Sequence, residues 1–237
     1  VFGASVLHTH LKVGATLVIQ NDVVFPQAVV ARMASEGCTG FAGVPSIFHT
    51  LLRNSTFSSR PLPDLRVIQQ AGGKLAPALI SELRQAQPQA EVFVMYGQTE
   101  ASPRISYVPP ERLLDKIGSI GIPVPGGRMH VDGDSGELVY EGPNVMMGYA
   151  TSRGELAAAD QQHGVLRTGD LARVDADGFH YITGRAKRFL KMSGNRVNLD
   201  EVEAMLSAAL GRQIACSGSD DDLVVFSHGG EAAPPDE

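Results

Sequence analysis

Short apolar runs alternate with stretches of helical periodicity between residues 17 and 95. The apolar runs predict strands and the periodic stretches predict helices, with strands at 16–19, 40–44, 65–69 and 91–95 and helices at 26–34, 45–52 and 76–87. Strands and helices in alternation indicate βαβ units and a largely parallel sheet. Because ligands bind beyond the carboxyl ends of such strands, we expect the glycine turns at 71–73 and 96–97 to face one crevice.

The pattern changes after Pro110, where two hairpins are predicted. The first turns at 132–136 and the second at 175–178, and both turns contain the Asp and Gly residues that favour hairpins. We therefore expect an antiparallel, barrel-like subdomain. Asp175 and Asp177 partly match a calcium loop, but its upstream and terminal ligands are missing, so a surface turn is the preferred interpretation.

The last part of the chain predicts one helix and two strands. Asn198 can cap a helix, with Glu201 three residues further on. An apolar stripe then precedes Gly211 and consists of Val202, Met205, Leu206, Ala209 and Leu210. We expect this stripe to pack in the core of a second domain, with strands at 214–216 and 223–226.

The composition is typical of a globular chain with a sizeable core. The 237 residues are 43% hydrophobic and carry a formal net charge of −6 without a run of Lys and Arg, which argues against nucleic acid or an anionic membrane as the main partner. No apolar run approaches the roughly twenty residues of a membrane helix. Cys38 and Cys216 lack metal-ligand spacing, so we expect a reducing, cytoplasmic location. The chain lacks an initiator Met and begins within a pattern, and we expect it to be part of a larger protein.

The segment after the predicted strand at 91–95 is the strongest candidate for chemistry. It presents an aromatic ring, a glycine turn, a hydroxyl and a carboxylate in succession, at Tyr96, Gly97, Thr99 and Glu100. A ring can stack on a base, a hydroxyl can bind a phosphate oxygen, and a carboxylate can hold Mg²⁺. By themselves, these residues fit an ordinary strand end with a polar loop equally well.

Two later segments follow the same logic. Asp170 stands at a turn before a hairpin, where a carboxylate could accept hydrogen bonds from a ribose diol. Arg185 and Lys187 follow that hairpin and add two cations. Taken singly, each segment fits a surface turn better than a binding site.

Five segments together resemble the ordered signatures of the adenylate-forming superfamily, which contains acyl- and aryl-CoA synthetases, peptide-synthetase adenylation domains and luciferases. They are residues 96–100, 136–138, 167–171, 184–185 and 191–194. The resemblance extends over roughly residues 2–226. It implies a large adenylating domain at 1–186, α/β at 1–110 and mostly β at 111–186, followed at 187–237 by the start of a small mobile α+β domain.

The resemblance also implies roles for individual residues. The implied ATP or AMP site consists of Gly72, Gly73, Tyr96, Gly97, Thr99, Asp170 and Arg185, with Tyr96 stacked on adenine and Thr99 at the phosphate. Glu100 would hold Mg²⁺, and Lys187 would lie at the hinge of the mobile domain. Lys191 would contact the adenylate, and Ser193 and Gly194 would line the tunnel for the thiol of CoA or phosphopantetheine.

The implied reaction joins a carboxylic acid to ATP as acyl-AMP and then transfers the acyl group to the thiol of CoA or an acyl carrier protein. Amino-acid-activating relatives have an aspartate where Gly3 stands, and an unpaired buried ammonium is costly, so a non-amino acyl or aryl acid is favoured. The implied acid pocket consists of Phe41, Gly43, Gln70 and Ala101. The alternatives are an adenylation domain dedicated to a carrier protein and a non-catalytic nucleotide-binding remnant.

Two elements of the superfamily have no counterpart in the 237 residues, namely the phosphate-binding loop with its lysine and the catalytic lysine near the C-terminus. Gly73 and Lys74 do not replace the loop, because Leu75 follows and the spaced upstream glycine is missing. We therefore expect this chain by itself to adenylate poorly or not at all.

Overall fold

The computed structural model describes residues 1–20, 24–186, 188–192 and 195–228. The chain divides into two compact units. The first contains Val1–His130, Val139–Leu166 and Val174–Tyr181, and the second contains Val131–Leu138, Arg167–Arg173 and Ile182–Glu237. The predicted domain boundary at Lys187 falls outside the described residues and stays a prediction.

The first unit contains a five-stranded sheet. Its strands, in spatial order, are β1 (Gly40–Gly43), β2 (Val67–Gln70), β3 (Glu91–Tyr96), β4 (Ser106–Val108) and β5 (Ile122–Pro123). β1, β2 and β3 are parallel, whereas β4 pairs antiparallel with β3 and β5 pairs antiparallel with β4. The prediction of βαβ units with a largely parallel sheet is therefore confirmed for the first three strands.

The helices of this unit are α1 (Phe2–Lys12), α2 (Pro26–Ser35), α3 (Pro45–Asn54) and α4 (Pro77–Ala86). The last three carry a proline in the first turn, where its missing N–H costs no intrahelical bond. They bury apolar side chains together with the parallel strands, and the most deeply buried of these are Val30, Phe48, Leu51, Ile68, Ile80 and Leu83. The helices predicted at 26–34, 45–52 and 76–87 are thus confirmed. None of the helices among the described residues is long and apolar enough to cross a membrane.

The strand predicted at 16–19 is wrong. Residues 15–20 belong to no helix or strand, and the side chain of Ile19 is 75% exposed. The preceding residues form α1, after which Gly14 adopts a φ of +69°. β-branched residues favour a strand only where a neighbouring strand and a buried face receive them, and the described structure provides neither here.

A second sheet is antiparallel and contains β6 (Arg128–Val131), β7 (Glu137–Glu141), β8 (Val165–Val174) and β9 (His180–Arg185), in this order. The turn between β6 and β7 contains Gly136 with a φ of +71°, and the turn between β8 and β9 contains Gly178 with a φ of +82°. Residues with a side chain rarely adopt this conformation. Both predicted hairpins are therefore confirmed.

The second unit ends in two hairpins and a helix. β10 (Phe189–Met192) pairs with β11 (Asn195–Asn198), α5 (Leu199–Leu210) follows, and β12 (Ile214–Ser219) pairs with β13 (Asp222–Ser227). The side chain of Asn198 accepts a hydrogen bond of 2.9 Å from the amide of Asp200, which confirms the predicted cap.

The predicted apolar stripe of α5 is only partly buried. Val202 and Leu206 pack against a small cluster consisting of Leu190, Leu199, Ile214 and Cys216. Met205 and Leu210 are 63% and 56% exposed, and Ala209 is exposed as well, so for these three residues the prediction of core packing is wrong. One small hairpin covers only part of a helix face, which the helical period by itself does not reveal.

Lys116 holds together the turn that partly matches a calcium loop. Its Nζ lies 2.8 Å from Oδ2 of Asp175 and 2.6 Å from Oδ2 of Asp177, and 4.8 Å from the centre of the Phe179 ring. Lys116, followed by the amides of Phe179 and Asp177, lowers the pKa of Asp175 to about 2. The two carboxylates thus form an ion cluster with a buried lysine.

We predict that Asp175→Asn destabilises the fold at neutral pH and that this effect shrinks in acid. The carboxylate of Asp175 has a pKa of about 2 instead of 3.8, so its stabilising effect is present above pH 4 and is lost as the pH falls toward 2. Urea unfolding of both proteins between pH 7 and pH 2 measures this. Asp64→Asn, at an exposed position, is the control. A difference in the free energy of unfolding that does not change with pH would contradict the prediction.

Candidate functional site

A cavity of about 300 Å³ lies in the first unit, at the carboxyl ends of the parallel strands. Its lining comes from the start of α1 and from the segments that follow β1, β2 and β3, and consists of Val1, Phe2, Val44, Ala71, Gly72, Met95, Tyr96, Gly97, Gln98, Thr99, Pro103 and Arg104. The expectation that the two glycine turns face one crevice is therefore confirmed. Parallel strands bring their ends to one edge, so residues far apart in the chain meet there.

Two backbone segments approach each other closely at Gly97, in the lining of this cavity. A Cβ atom at this position would lie 1.5 Å from the carbonyl oxygen of Pro103, so only glycine fits without a backbone shift. The amide of Ile105 donates a hydrogen bond of 3.0 Å to the carbonyl oxygen of Tyr96 and closes the same turn. The chain consequently doubles back here, and the segments on both sides of Gly97 line the cavity.

At Gly72, in the second glycine turn, the backbone conformation is what favours glycine. Gly72 adopts a φ of +83°, and a Cβ atom there would lie 3.1 Å from Cγ1 of Val44. Tyr96 also lines the cavity, and its hydroxyl oxygen accepts a hydrogen bond of 3.2 Å from Nε2 of Gln98. A bare glycine backbone and an aromatic ring at one cavity are suited to a flat ligand.

Glu100 lies just beyond, in the short 3₁₀ turn Thr99–Ala101. Its carboxylate accepts a hydrogen bond from the hydroxyl of Tyr149, and its carbonyl oxygen accepts one of 2.8 Å from the amide of Met146. The bond to Glu100 raises the pKa of the Tyr149 hydroxyl. Sequence reasoning missed Tyr149, because its partner Glu100 lies 49 residues earlier in the chain and no local pattern links the two.

Asn144 fixes the backbone on the other side of the cavity. Its Nδ2 donates hydrogen bonds to the carbonyl oxygens of Ala101 at 2.6 Å and Arg104 at 2.8 Å. Its Oδ1 accepts a bond of 2.6 Å from the hydroxyl of Tyr140, whose pKa is raised by burial. Asn144 therefore determines the course of the loop that carries Arg104. Neither Asn144 nor Arg104 was identified from the sequence, because no local pattern indicates the hydrogen bond between them.

The comparisons with known proteins identify the family. A model of the AMP-binding enzyme family matches residues 1–150. The chain belongs to the AMP-binding enzyme family. Feruloyl-CoA synthase from Amycolatopsis is 32% identical over 211 residues, which are 85% of this chain and 42% of that protein. The L-proline–[L-prolyl-carrier protein] ligase from Pseudomonas fluorescens is 30% identical over 222 residues, or 87% and 43% of the two chains.

Solved structures agree with this assignment. O-succinylbenzoate coenzyme A synthetase from Bacillus subtilis, in complex with ATP and magnesium ion, superimposes with a TM-score of 0.75 at 27% identity. The match covers 94% of this chain and 48% of that one. The chain thus has the mixed α/β fold of adenylate-forming enzymes, and it spans less than half the length of these relatives.

Asp170 and Arg185, the residues expected at a ribose, lie in the second unit and pair with each other. Nε of Arg185 is 3.1 Å from Oδ1 of Asp170, and the side chain of Asp170 is buried while that of Arg185 is exposed. Nearby, the carboxylate of Glu137 accepts hydrogen bonds from the amide of Gly169 at 2.8 Å and from Nε of Arg167 at 2.9 Å. Three of the signature segments, 136–138, 167–171 and 184–185, are therefore joined by these contacts, and Glu137 and Arg167 position the turn that carries Asp170.

The four residues predicted for the acid pocket do not belong to the cavity lining described above. The ring of Phe41 packs edge-on against Phe48, with centroids 5.7 Å apart, and a Cβ atom at Gly43 would lie 3.3 Å from the Phe48 ring. Gln70 is buried and donates a hydrogen bond of 2.8 Å to the carbonyl oxygen of Gly73. Ala101 is also buried.

Phe41 and Gly43 lie two residues apart on β1, so strand alternation puts both on the face of the sheet that meets Phe48 of α3. The neighbours Val44 and Ala71 line the cavity in their place. A direct role of Phe41, Gly43, Gln70 and Ala101 at a bound acid stays a prediction. Lys187, Ser193 and Gly194 lie outside the described residues, and Lys191 lies on β10.

We predict that Gly97→Ala lowers the free energy of unfolding by about 1–3 kcal/mol, because the added methyl group meets the carbonyl oxygen of Pro103 and the backbone has to shift. Gly133→Ala is the matched control, since nothing lies within 4 Å of its Cβ position, and it should stay within about 0.5 kcal/mol of wild type. Urea unfolding of the three proteins measures this. Equal stability of the two variants would refute the close approach.

Proposed function

We propose that the protein to which these residues belong is an ATP-dependent acid–thiol ligase. It forms acyl-AMP and pyrophosphate from a carboxylic acid and ATP, and then transfers the acyl group to a thiol. The observation that carries the proposal is the cavity at the carboxyl ends of β1–β3, where Gly72 meets Tyr96 and Thr99 of the signature segment 96–100.

The lining of the cavity fits a nucleotide. Tyr96 would stack on the adenine, the side-chain-free edge at Gly72 would admit the base closely, and the exposed hydroxyl of Thr99 would donate to a phosphate oxygen. Asp170 and Arg185 would bind the ribose hydroxyls. The ion pair between Arg185 and Asp170 would have to loosen for this to happen. Gly97 lines the cavity without a side chain, whereas Gly73 is not part of that lining and its role at the base stays a prediction.

Charge repulsion is the main obstacle to the first step. A carboxylate and a phosphate 4 Å apart repel each other by about 1 kcal/mol in water and by several-fold more in a drier cleft. Glu100 is the residue that would hold Mg²⁺, which would neutralise phosphate charge when bound. In the described structure the carboxylate of Glu100 accepts a hydrogen bond from the hydroxyl of Tyr149. Tyr149 would therefore keep this carboxylate oriented for the metal.

The chemical steps balance without a further reactant. A carboxylate oxygen of the acid attacks the α-phosphorus of ATP, and the bond from that phosphorus to the bridging oxygen breaks, releasing pyrophosphate. The sulfur of the thiol then attacks the acyl carbon, AMP leaves, and the thiol proton goes to solvent. Lys187 and Lys191 would act at the hinge and at the adenylate, and Ser193 and Gly194 would line the path of the thiol.

The finer proposal concerns which thiol accepts the acyl group and which class of acid is activated. We favour CoA as the acceptor, because the relatives include a CoA synthase and a CoA synthetase, and the carrier-protein ligase among them makes a carrier arm the second candidate. We favour a non-amino acyl or aryl acid, because Gly3 provides no carboxylate for an ammonium group. A cation, Arg104, also lines the cavity and would repel such a group.

A product analysis distinguishes the candidates. The protein is supplied with ATP, Mg²⁺, an acid and either CoA or a purified carrier protein, and the release of AMP is followed together with the thioester formed. A CoA ligase acylates free CoA, a carrier-dedicated adenylation domain acylates only the carrier, and a nucleotide-binding remnant binds AMP without forming either product. Binding of neither AMP nor ATP would overturn the proposal as a whole.

We predict that Glu100→Gln weakens binding of ATP in the presence of Mg²⁺ by roughly tenfold or more, because the amide no longer supplies a negative oxygen to the metal. Binding of AMP without Mg²⁺ should stay unchanged. Calorimetric titration of both nucleotides measures this, and Glu91→Gln, at an exposed position on β3, is the matched control. Equal weakening of AMP and ATP binding would remove the metal role from Glu100.

A further inference from the structure

The side chain of Arg104 brings a positive charge to the cavity of the first unit. Its guanidinium is half-buried and donates to three groups: Oγ of Ser5 at 3.3 Å, Oε1 of Gln69 at 3.5 Å and Sδ of Met95 at 4.0 Å. The ring of Phe2 lies 5.6 Å from its central carbon. All four neighbours are neutral, and the three polar contacts are long, so the donors of this cation are only weakly engaged.

Arg104 differs in this respect from seven other arginines. Each of these lies within 4 Å of a carboxylate, and they are Arg32, Arg53, Arg112, Arg128, Arg167, Arg185 and Arg188. Within the described ranges, no carboxylate pairs with Arg104. Burial lowers the pKa of Arg104 because the charged form loses hydration, and yet a guanidinium stays charged in proteins. A half-buried cation with room beside it is well placed to bind an anion.

The structure holds this cation in position before any ligand arrives. Asn144 binds the carbonyl oxygen of Arg104, and the next residue, Ile105, donates to the carbonyl oxygen of Tyr96. Ser5 and Gln69 limit the directions that the side chain can take. The backbone that carries Arg104 therefore has little conformational entropy left to lose on binding, which favours a site of defined geometry.

The surroundings indicate which anion fits. The guanidinium is a planar fork that matches the two oxygens of a carboxylate. The lining beside it is apolar, at Phe2, Val44 and Met95, and suits a carbon chain or ring better than a polyphosphate. The partners of the guanidinium come from α1, β2 and β3, whereas the proposed phosphate and metal residues, Thr99 and Glu100, are not among them. Thr99 and Arg104 both belong to the lining of this cavity, so a single acid can present one carboxylate to each of them.

We propose that Arg104 binds a second carboxylate of the acid, so that the substrate class is a dicarboxylic acid. One carboxylate reacts beside Thr99, and the other end of the molecule forms a bidentate pair with Arg104 across the apolar lining. This inference rests on the proposed function only in that the other carboxylate of the acid is the one that reacts with ATP. It assigns Arg104 as the residue that determines specificity.

Binding of matched acids tests the proposal. Dicarboxylates from succinate to sebacate are titrated calorimetrically at neutral pH into the 237-residue chain saturated with AMP, each beside the monocarboxylate with the same number of carbons. We predict that one dicarboxylate or more binds roughly tenfold tighter than its partner. Arg104→Met should abolish this preference, and Arg104→Lys should restore part of it, because lysine keeps the charge without the fork.

The control variant is Arg84→Met, at an exposed position on α4, which should leave the preference intact. Melting curves establish that the variants are folded. Monocarboxylates that bind as tightly as dicarboxylates would overturn the proposal. So would equal weakening of both classes by Arg104→Met, which would place the reacting carboxylate at Arg104. If AMP does not bind to the wild-type chain, that result counts against the proposed function. The acids are then compared without AMP, so the role of Arg104 is still tested.

Discussion

The close approach of the backbone at Gly97 to the carbonyl oxygen of Pro103 determines how the candidate site is built. The two chain segments pass so near each other that a single Cβ atom would overlap the oxygen. The turn therefore places Tyr96 on one side and Thr99 on the other side of a glycine, and returns the chain so that Arg104 lines the same cavity. A ring, a hydroxyl and a cation reach one space because one position has no side chain.

Residues distant in the chain then hold this turn in place. Asn144 donates to two carbonyl oxygens of the 101–104 segment, and the buried hydroxyl of Tyr140 orients Asn144 in turn. Tyr149, from the same region, binds the carboxylate of Glu100. The loop that carries the proposed metal ligand is thus supported by hydrogen bonds from a segment some forty residues away, an arrangement that limits its freedom before a ligand binds.

The charged residues of the signature segments 136–138, 167–171 and 184–185 have charged partners, whereas Arg104 has none among the described residues. Arg167, Glu137, Asp170 and Arg185 satisfy one another in the second unit, which gives them a positioning role in addition to any contact with ribose. Arg104 has only neutral neighbours. The proposed division follows from this difference: the signature residues would serve the nucleotide, which all members of the family share, and a residue outside the signatures would select the acid.

The sequence by itself determined the elements that depend on local pattern. Helical period, prolines at helix starts and glycines in turns predicted α2, α3, α4 and both hairpins, and the ordered signatures identified the family, because each of these is encoded by neighbouring residues. The tertiary structure decided what depends on partners distant in the chain. Residues 16–19 form no strand because no strand in the described part of the chain pairs with them, and Met205 remains exposed because the small hairpin covers one side of α5 only. The contacts of Asn144 and Arg104 could not be predicted, since they depend on which segments the sheet brings to its carboxyl edge, and no local pattern records that.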